Sequence, residues 1–215
     1  MSTTTTHCYA TDEDLALIAT GDVGAVFPAD QVIASGVDGS FDPSDRWTLR
    51  SESVNFPDAG LAPGHVVRLV GPPERFRPPG LLLGVSAVSS NVVTLRRIGM
   101  GPGSGTPASP AEGISGVEFV ATTLGPQLAG ASRELDRLLG LDSIPLDPAG
   151  ALRDAVARLV LARRYAMIAG GVDDAYLGRS ALLRAEFDAM ARRLALGGNP
   201  LGPSPAPRRG TRLVR

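Results

Sequence analysis

Between residues 147 and 196 the sequence keeps a helical period with a single break, and no other stretch is long enough to found a helical core. Asp147-Pro148 reads as a helix start, the carboxylate accepting from orphan N–H groups and proline supplying the preset φ of a first turn. Leu152, Val156, Leu159 and Val160 recur at three- and four-residue spacing until Gly170-Gly171, where a left-handed C-cap is wanted. Asp173 or Asp174 caps a second helix. In it Tyr176, Ser180, Leu183, Phe187, Met190 and Leu194 step 4-3-4-3-4 along one face until Gly197-Gly198. A linker this short folds the two helices antiparallel, each about 30 Å long at 1.5 Å per residue.

The rest of the chain has to be read against that pair. At 215 residues and 43% hydrophobic content it can bury a packed core as one domain or as a domain with a sizeable insertion. Glycine and proline contribute 26 and 18 residues, so much of the chain is turn and loop. All 21 basic residues are arginine, a bias that GC-rich coding produces without selection for guanidinium chemistry. Residues 1–150 carry 17 acids against 9 Arg, net −8, and residues 151–215 carry 5 acids against 12 Arg, net +7. Such halves are either solvated helix faces or surfaces through which copies pack acidic to basic. Cys8 is the only cysteine, which excludes an internal disulfide and a cysteine-based zinc site. No apolar run approaches the roughly 20 residues of a membrane span and no leader-like segment opens the chain, so a reducing compartment is expected.

In chain order, residues 1–6 are a polar arm with Tyr9 as its anchor. Thr11-Asp12-Glu13-Asp14 is a capping box that opens a short helix from Asp12 to about Thr20, ended by Gly21 and Gly24 and docked on the long pair. From Val37 onward helical spacing gives way to short alternating runs, with strands expected near 46–51, 53–56, 65–70, 81–88, 92–97 and 116–122. Ser89-Ser90-Asn91 marks a tight hairpin. The Pro/Gly-rich stretches 71–80 and 99–113 are long loops suited to contact. Gly125-Pro126 opens a further helix with Leu128, Ala131, Leu135 and Leu138 on one face and Gly140 as its stop. The expected fold is α+β: a small bundle of four helices with a long C-terminal antiparallel helical hairpin, carrying an inserted small β-barrel or sandwich. Its parts are a helical domain, 1–39 and 123–198, a β domain, 40–122, and an extended basic tail, 199–215.

Chemistry-bearing residues are few. His7-Cys8 has no acid or second histidine at ligand spacing, and His65 starts a strand with no companion. The run from Gly99 to Gly105 has the glycines of a phosphate loop but leads into Pro107 and Pro110, not into a helix, and the chain has no lysine for a Walker motif. Glu112 and Glu118 have no discernible acid/base partner. No catalytic, cofactor-binding or metal-binding residue is therefore assigned.

Tyr9-Ala10-Thr11-Asp12-Glu13-Asp14-Leu15, with Leu152-Arg153-Asp154-Ala155-Val156-Ala157-Arg158-Leu159, Arg164-Tyr165 and the final helix, resembles the head–tail connector (adaptor, head-completion) proteins of tailed bacteriophages. The likeness covers about half of the chain. The region 41–122 departs from the pattern and reads as an inserted barrel, with Arg46-Trp47-Thr48-Leu49 and Pro63-Gly64-His65-Val66-Val67-Arg68-Leu69 as its clearest strands. The resemblance implies a non-enzymatic virion protein, assembled in the host cytoplasm as a homo-oligomeric, dodecameric ring between portal and tail. Its partners would be the portal protein, a tail or stopper protein and, non-specifically, packaged DNA. It also implies that the tail reaches the portal or a neighbour through Arg208, Arg209, Arg212 and Arg215, with Leu213 and Val214 as an apolar anchor. The alternative is a β-barrel binding module, for ligand or protein, on a helical stalk; an enzyme with an unfamiliar site is a third reading.

Overall fold

The computed structural model describes residues 8–19, 21–27, 31–43, 45–76, 80–99, 113–141, 150–172 and 174–196. Two short helices, α1 (Asp12–Ile18) and α2 (Val23–Val26), precede six strands: β1 (Val32–Asp42), β2 (Asp45–Arg50), β3 (Val66–Gly71), β4 (Leu81–Ser89), β5 (Val92–Arg96) and β6 (Val117–Thr122). Three helices follow, α3 (Gly125–Leu139), α4 (Ala151–Ile168) and α5 (Ala175–Leu196).

The strands close into an antiparallel barrel in the order β1-β2-β5-β4-β3-β6, the ring being completed by β1 pairing with β6 from Val32↔Thr122 to Gly39↔Val117. Closure satisfies every strand edge internally. Alternation then sorts the side chains: Val67, Leu69, Leu83, Val85, Val93, Leu95, Val117 and Phe119 fill the barrel, with Phe56 and Phe119 in tilted contact, ring centroids 5.7 Å apart. Val66 and the partly buried Leu82 point the other way and join the helical core, so β3 and β4 are covered on both faces where the helices lie.

This architecture corrects the expected bundle of four helices with a long C-terminal helical hairpin. Among the described residues there are a closed six-stranded barrel and five helices, with α2 unforeseen. The reason lies in α4. A bundle helix buries one stripe, but in α4 Ala155, Val156, Ala157, Leu159, Val160, Leu161 and Ala162 are all buried. A helix apolar nearly all round must be surrounded, and α1, α2, α3 and α5 each pack against it.

Other boundaries moved for local reasons. The barrel begins at Val32 rather than at residue 40. No strand forms at 53–56; the segment is a loop held by Asp38, whose carboxylate accepts from Ser51 Oγ (2.8 Å), Glu52 N (2.8 Å) and Ser53 N (2.9 Å). Burial pushes this carboxyl up, but the hydrogen bonds from Ser53, Ser51 and Glu52 outweigh it and hold its pKa at about 2. Leu138 is 57% exposed although Leu128, Ala131 and Leu135 on the same stripe are buried, because periodicity sets the direction of a side chain and not what lies there. Gly140 stops α3 in the left-handed conformation, φ 64°. The Asp147-Pro148 start lies outside the described residues. Asp174 serves α5, accepting from Gly170 N (2.9 Å) and Tyr176 N (2.8 Å), and those two N–H groups hold its carboxyl below the ordinary range.

Candidate functional site

The capping box at the start of α1 is formed as its sequence demands, Thr11 Oγ1 accepting from Asp14 N and Thr11 N donating to Asp14 Oδ2 at 2.9 Å. What the three consecutive acids do beyond the cap is decided by their surroundings. Asp12, 1% exposed, accepts from Leu124 N at 2.8 Å and so secures the entry to α3. Glu13 pairs with Arg96 of β5 at 2.5 Å, its backbone N–H reaches Gly64 O at 3.0 Å, and its carboxylate packs over Gly84 of β4, where a Cβ would come within 2.8 Å. Asp14 faces Arg153 of α4 at 3.8 Å. One turn of helix thereby fastens the barrel to the helical core in three directions. Ahead of it Tyr9 is strapped to α3, its N–H donating to Ser132 Oγ (3.1 Å) and its hydroxyl to Asp136 Oδ1 (2.6 Å). Behind it Asp22 accepts from the Tyr165 hydroxyl at 3.0 Å and pairs with Arg179, which ties the α1–α2 link to α4 and α5.

Asp12 is the buried charge of this joint. Its Oδ2 is buried and has no hydrogen-bond partner among the described residues. Burial pushes the carboxyl up, while the Leu124 N–H, the nearby Thr123 hydroxyl and His65 pull it back without cancelling the effect. A carboxyl raised in the fold contributes stability that is fully present below its unfolded pKa and lost as pH rises through the folded one. Asp12→Asn retains the acceptor for Leu124 and removes the charge. It should therefore gain stability over the wild type as pH rises from the ordinary carboxylate range toward neutrality and lose that advantage at lower pH, read from melting temperatures across the range. A difference that is flat with pH would remove Asp12 as the titrating group.

Two depressions flank the joint. One, of about 580 Å³, is lined by Tyr9, Thr11, Glu13, Asp14, Arg96 and Arg153, whose charges are engaged with one another across it. The other, of about 530 Å³, lies between α1, α2 and β4 and is aliphatic apart from Arg97. On the far side of the helical core α5 runs along α4 through Arg158–Glu186 (2.7 Å), Ser180 Oγ to Ala162 O (2.7 Å) and stacked Tyr165 and Tyr176. Leu183 and Phe187 are its buried residues. On the side away from α4, Gly178, Leu182, Ala185, Ala189, Arg192 and Leu196 are exposed.

Among the described residues, those singled out in the sequence do not converge. Cys8 is exposed at the start of the described chain, Glu118 is exposed on β6, and His65 Nδ1 accepts from Ala62 N at 3.2 Å as part of a turn. His7, Glu112, the greater part of the loop 99–113 and the tail residues Arg208, Arg209, Arg212, Leu213, Val214 and Arg215 lie outside the described residues. Among the described residues no three His, Cys, Asp or Glu side chains are grouped to hold a metal ion, and no helix is long and apolar enough to cross a membrane. In the sequence the acids of α1 read only as a cap. Their run of three was the available signal for a joint, but nothing in it named Leu124, Arg96 or Arg153 as partners. Neither a family model, nor a curated protein, nor a solved structure matches this chain.

Proposed function

We propose that the chain is a structural assembly subunit, a head–tail connector of a tailed bacteriophage or phage-like particle, which forms a ring of identical copies between portal and tail. The observation that carries the reading is α5. A helix of 22 residues that buries two of them in its own subunit, and holds the exposed face Gly178, Leu182, Ala185, Ala189, Arg192 and Leu196, small and aliphatic but for one arginine, is suited to another chain. Small residues let a neighbouring backbone approach closely, and the leucines gain about 1.5–3 kcal/mol each if fully covered. A face that meets a different face of the next copy makes a heterologous contact, and such contacts build a ring when the rotation between copies closes. The α1 joint, through Asp12, Glu13 and Asp14, supports the same reading, since a ring subunit has to transmit load between its barrel and its helices. Against the barrel as a ligand module stands its interior, which is filled by side chains such as Leu49, Phe56, Leu69, Val85 and Phe119, each fully buried.

The test is Ala185→Arg, a bulky charge on an exposed residue of α5. The variant should fold with the melting temperature of the wild type and fail to assemble. Sedimentation of the isolated subunit, mass 22.2 kDa, reports self-association, and quantitative mass spectrometry of particles reports incorporation where assembly needs a portal. Full incorporation of the variant would sink the proposal. The tail, with Arg208, Arg209, Arg212, Leu213, Val214 and Arg215, is assigned to the portal or a neighbouring copy on the same reading.

A further inference from the structure

The aliphatic groove beside α1 differs from everything around it in charge. Its walls are Ala16 and Leu17 of α1, Val23 and Gly24 of α2, Leu81, Leu82 and Leu83 of β4, and Ile98. Leu17 is left 54% exposed over it. Arg97, at its exposed edge, is the one charged lining residue and has no ion pair or hydrogen bond among the described residues, whereas the adjacent Arg96 is held by Glu13. An aliphatic floor with a single cation at the rim, unpaired among the described residues, defines the complement: apolar side chains in series with one carboxylate.

We propose that this groove docks an amphipathic segment of another protein, which lays aliphatic side chains on Leu17, Val23, Leu82 and Ile98 and presents an Asp or Glu to Arg97. A chain segment suits it better than a free small molecule. The depression is open to solvent along its side, and Gly21, Gly24 and Gly80 line it, so a backbone can approach where side chains would hold it off. At Gly21 an added Cβ meets nothing within 4 Å, which leaves that wall free to carry a plug. Docking here does not depend on α5 or on ring formation.

The experiment selects binders from a displayed library of random peptides on the immobilised full chain and measures the recovered peptides by fluorescence anisotropy. The enriched sequences should combine aliphatic residues at helical or alternate spacing with an acidic position. Leu17→Asp and Gly21→Phe, the first a charge on an exposed residue and the second an apolar plug into open space, should each weaken binding by about tenfold or more while melting as the wild type does. Arg97→Glu should weaken it by about threefold, the scale of an exposed ion pair, and reselection on that variant should exchange the acidic position for a basic one. Peptides that bind Leu17→Asp and Gly21→Phe undiminished, selections that enrich nothing, or an acidic preference unmoved by Arg97→Glu would each overturn the assignment. So would wild-type self-association that Leu17→Asp abolishes, which would make the occupant a second copy of this chain. Loss of assembly in Ala185→Arg with peptide binding intact separates this groove from the α5 face.

Discussion

Phe187→Ala should lower stability by about 3–5 kcal/mol, the usual cost of truncating a buried aromatic, and for a chain of this size that is a fall in melting temperature of about 6–20 °C. Phe187 is 1% exposed and, with Leu183, is what α5 contributes to the helical core. Arg184 of the same helix lies over its ring, 5.5 Å from the centroid, so part of the loss is a cation–π contact. The way the loss is distributed matters as much as its size. Trp47, the single tryptophan, packs against the barrel core, so its fluorescence reports the barrel while far-ultraviolet dichroism reports the helices. With α1 fastened to α3, α4 and the barrel through Asp12, Asp14 and Glu13, both signals should shift together in one transition. A barrel signal that stays in place while the helices melt early would show that the joint does not couple the two. A loss under about 1 kcal/mol would remove Phe187 from the core.

Phe119→Ala should cost a similar 3–5 kcal/mol from the barrel side, and its partner substitution makes a sharper test. Phe119 is fully buried, against Phe56 and beneath β1, where Gly36 leaves room for it: a Cβ on Gly36 would lie 2.7 Å from Phe119 Cζ. Gly36→Ala alone should therefore destabilise by about 1–3 kcal/mol through overpacking. In the Phe119→Ala background the ring is gone and the nearest remaining neighbour is a side-chain oxygen of Asp38 at 3.0 Å, so the same change should cost little. The double-mutant cycle, measured by urea unfolding, should show a coupling of about 1 kcal/mol or more. Strict additivity would mean that β1 is glycine-rich for some other reason than the ring beneath it. Gly39 is the control. Its Cβ would meet the backbone Val117 O at 2.7 Å, so Gly39→Ala should remain costly whether or not Phe119 is present.

β1 also shows why the barrel was only partly legible. The strands from β2 to β6 carry apolar residues at alternate positions, and the Ser90-Asn91 turn joins β4 to β5 as the sequence suggests. β1 reads Val-Ile-Ala-Ser-Gly-Val-Asp-Gly-Ser-Phe-Asp, with two glycines and little alternation, and its register shifts between Gly36 and Gly39. It is a strand because β2 and β6 supply its hydrogen bonds on both sides, a stabilisation that resides in the neighbours. The opposite error arose at 53–56, where a short apolar pattern suggested a strand and the Asp38 carboxylate organises a loop.

By itself the sequence determined what depends on neighbours a few residues away: the cap at Thr11, the stop at Gly140, the stripe of α5 that turns Leu183 and Phe187 inward, and the alternation of five strands. Those signals come from turn geometry, orphan N–H groups and side-chain period, all short-ranged along the chain. Only the tertiary structure decided that β1 and β6 close a barrel, that α4 is surrounded by other helices, and that Asp12, Glu13 and Asp14 point to three different elements. It also decided that Arg96 is engaged by Glu13 while the adjacent Arg97 lines an aliphatic groove. Each of these outcomes depends on groups brought together from distant parts of the chain, as Val32 is with Thr122, and a carboxylate or a guanidinium carries no mark of which partner the fold will bring to it.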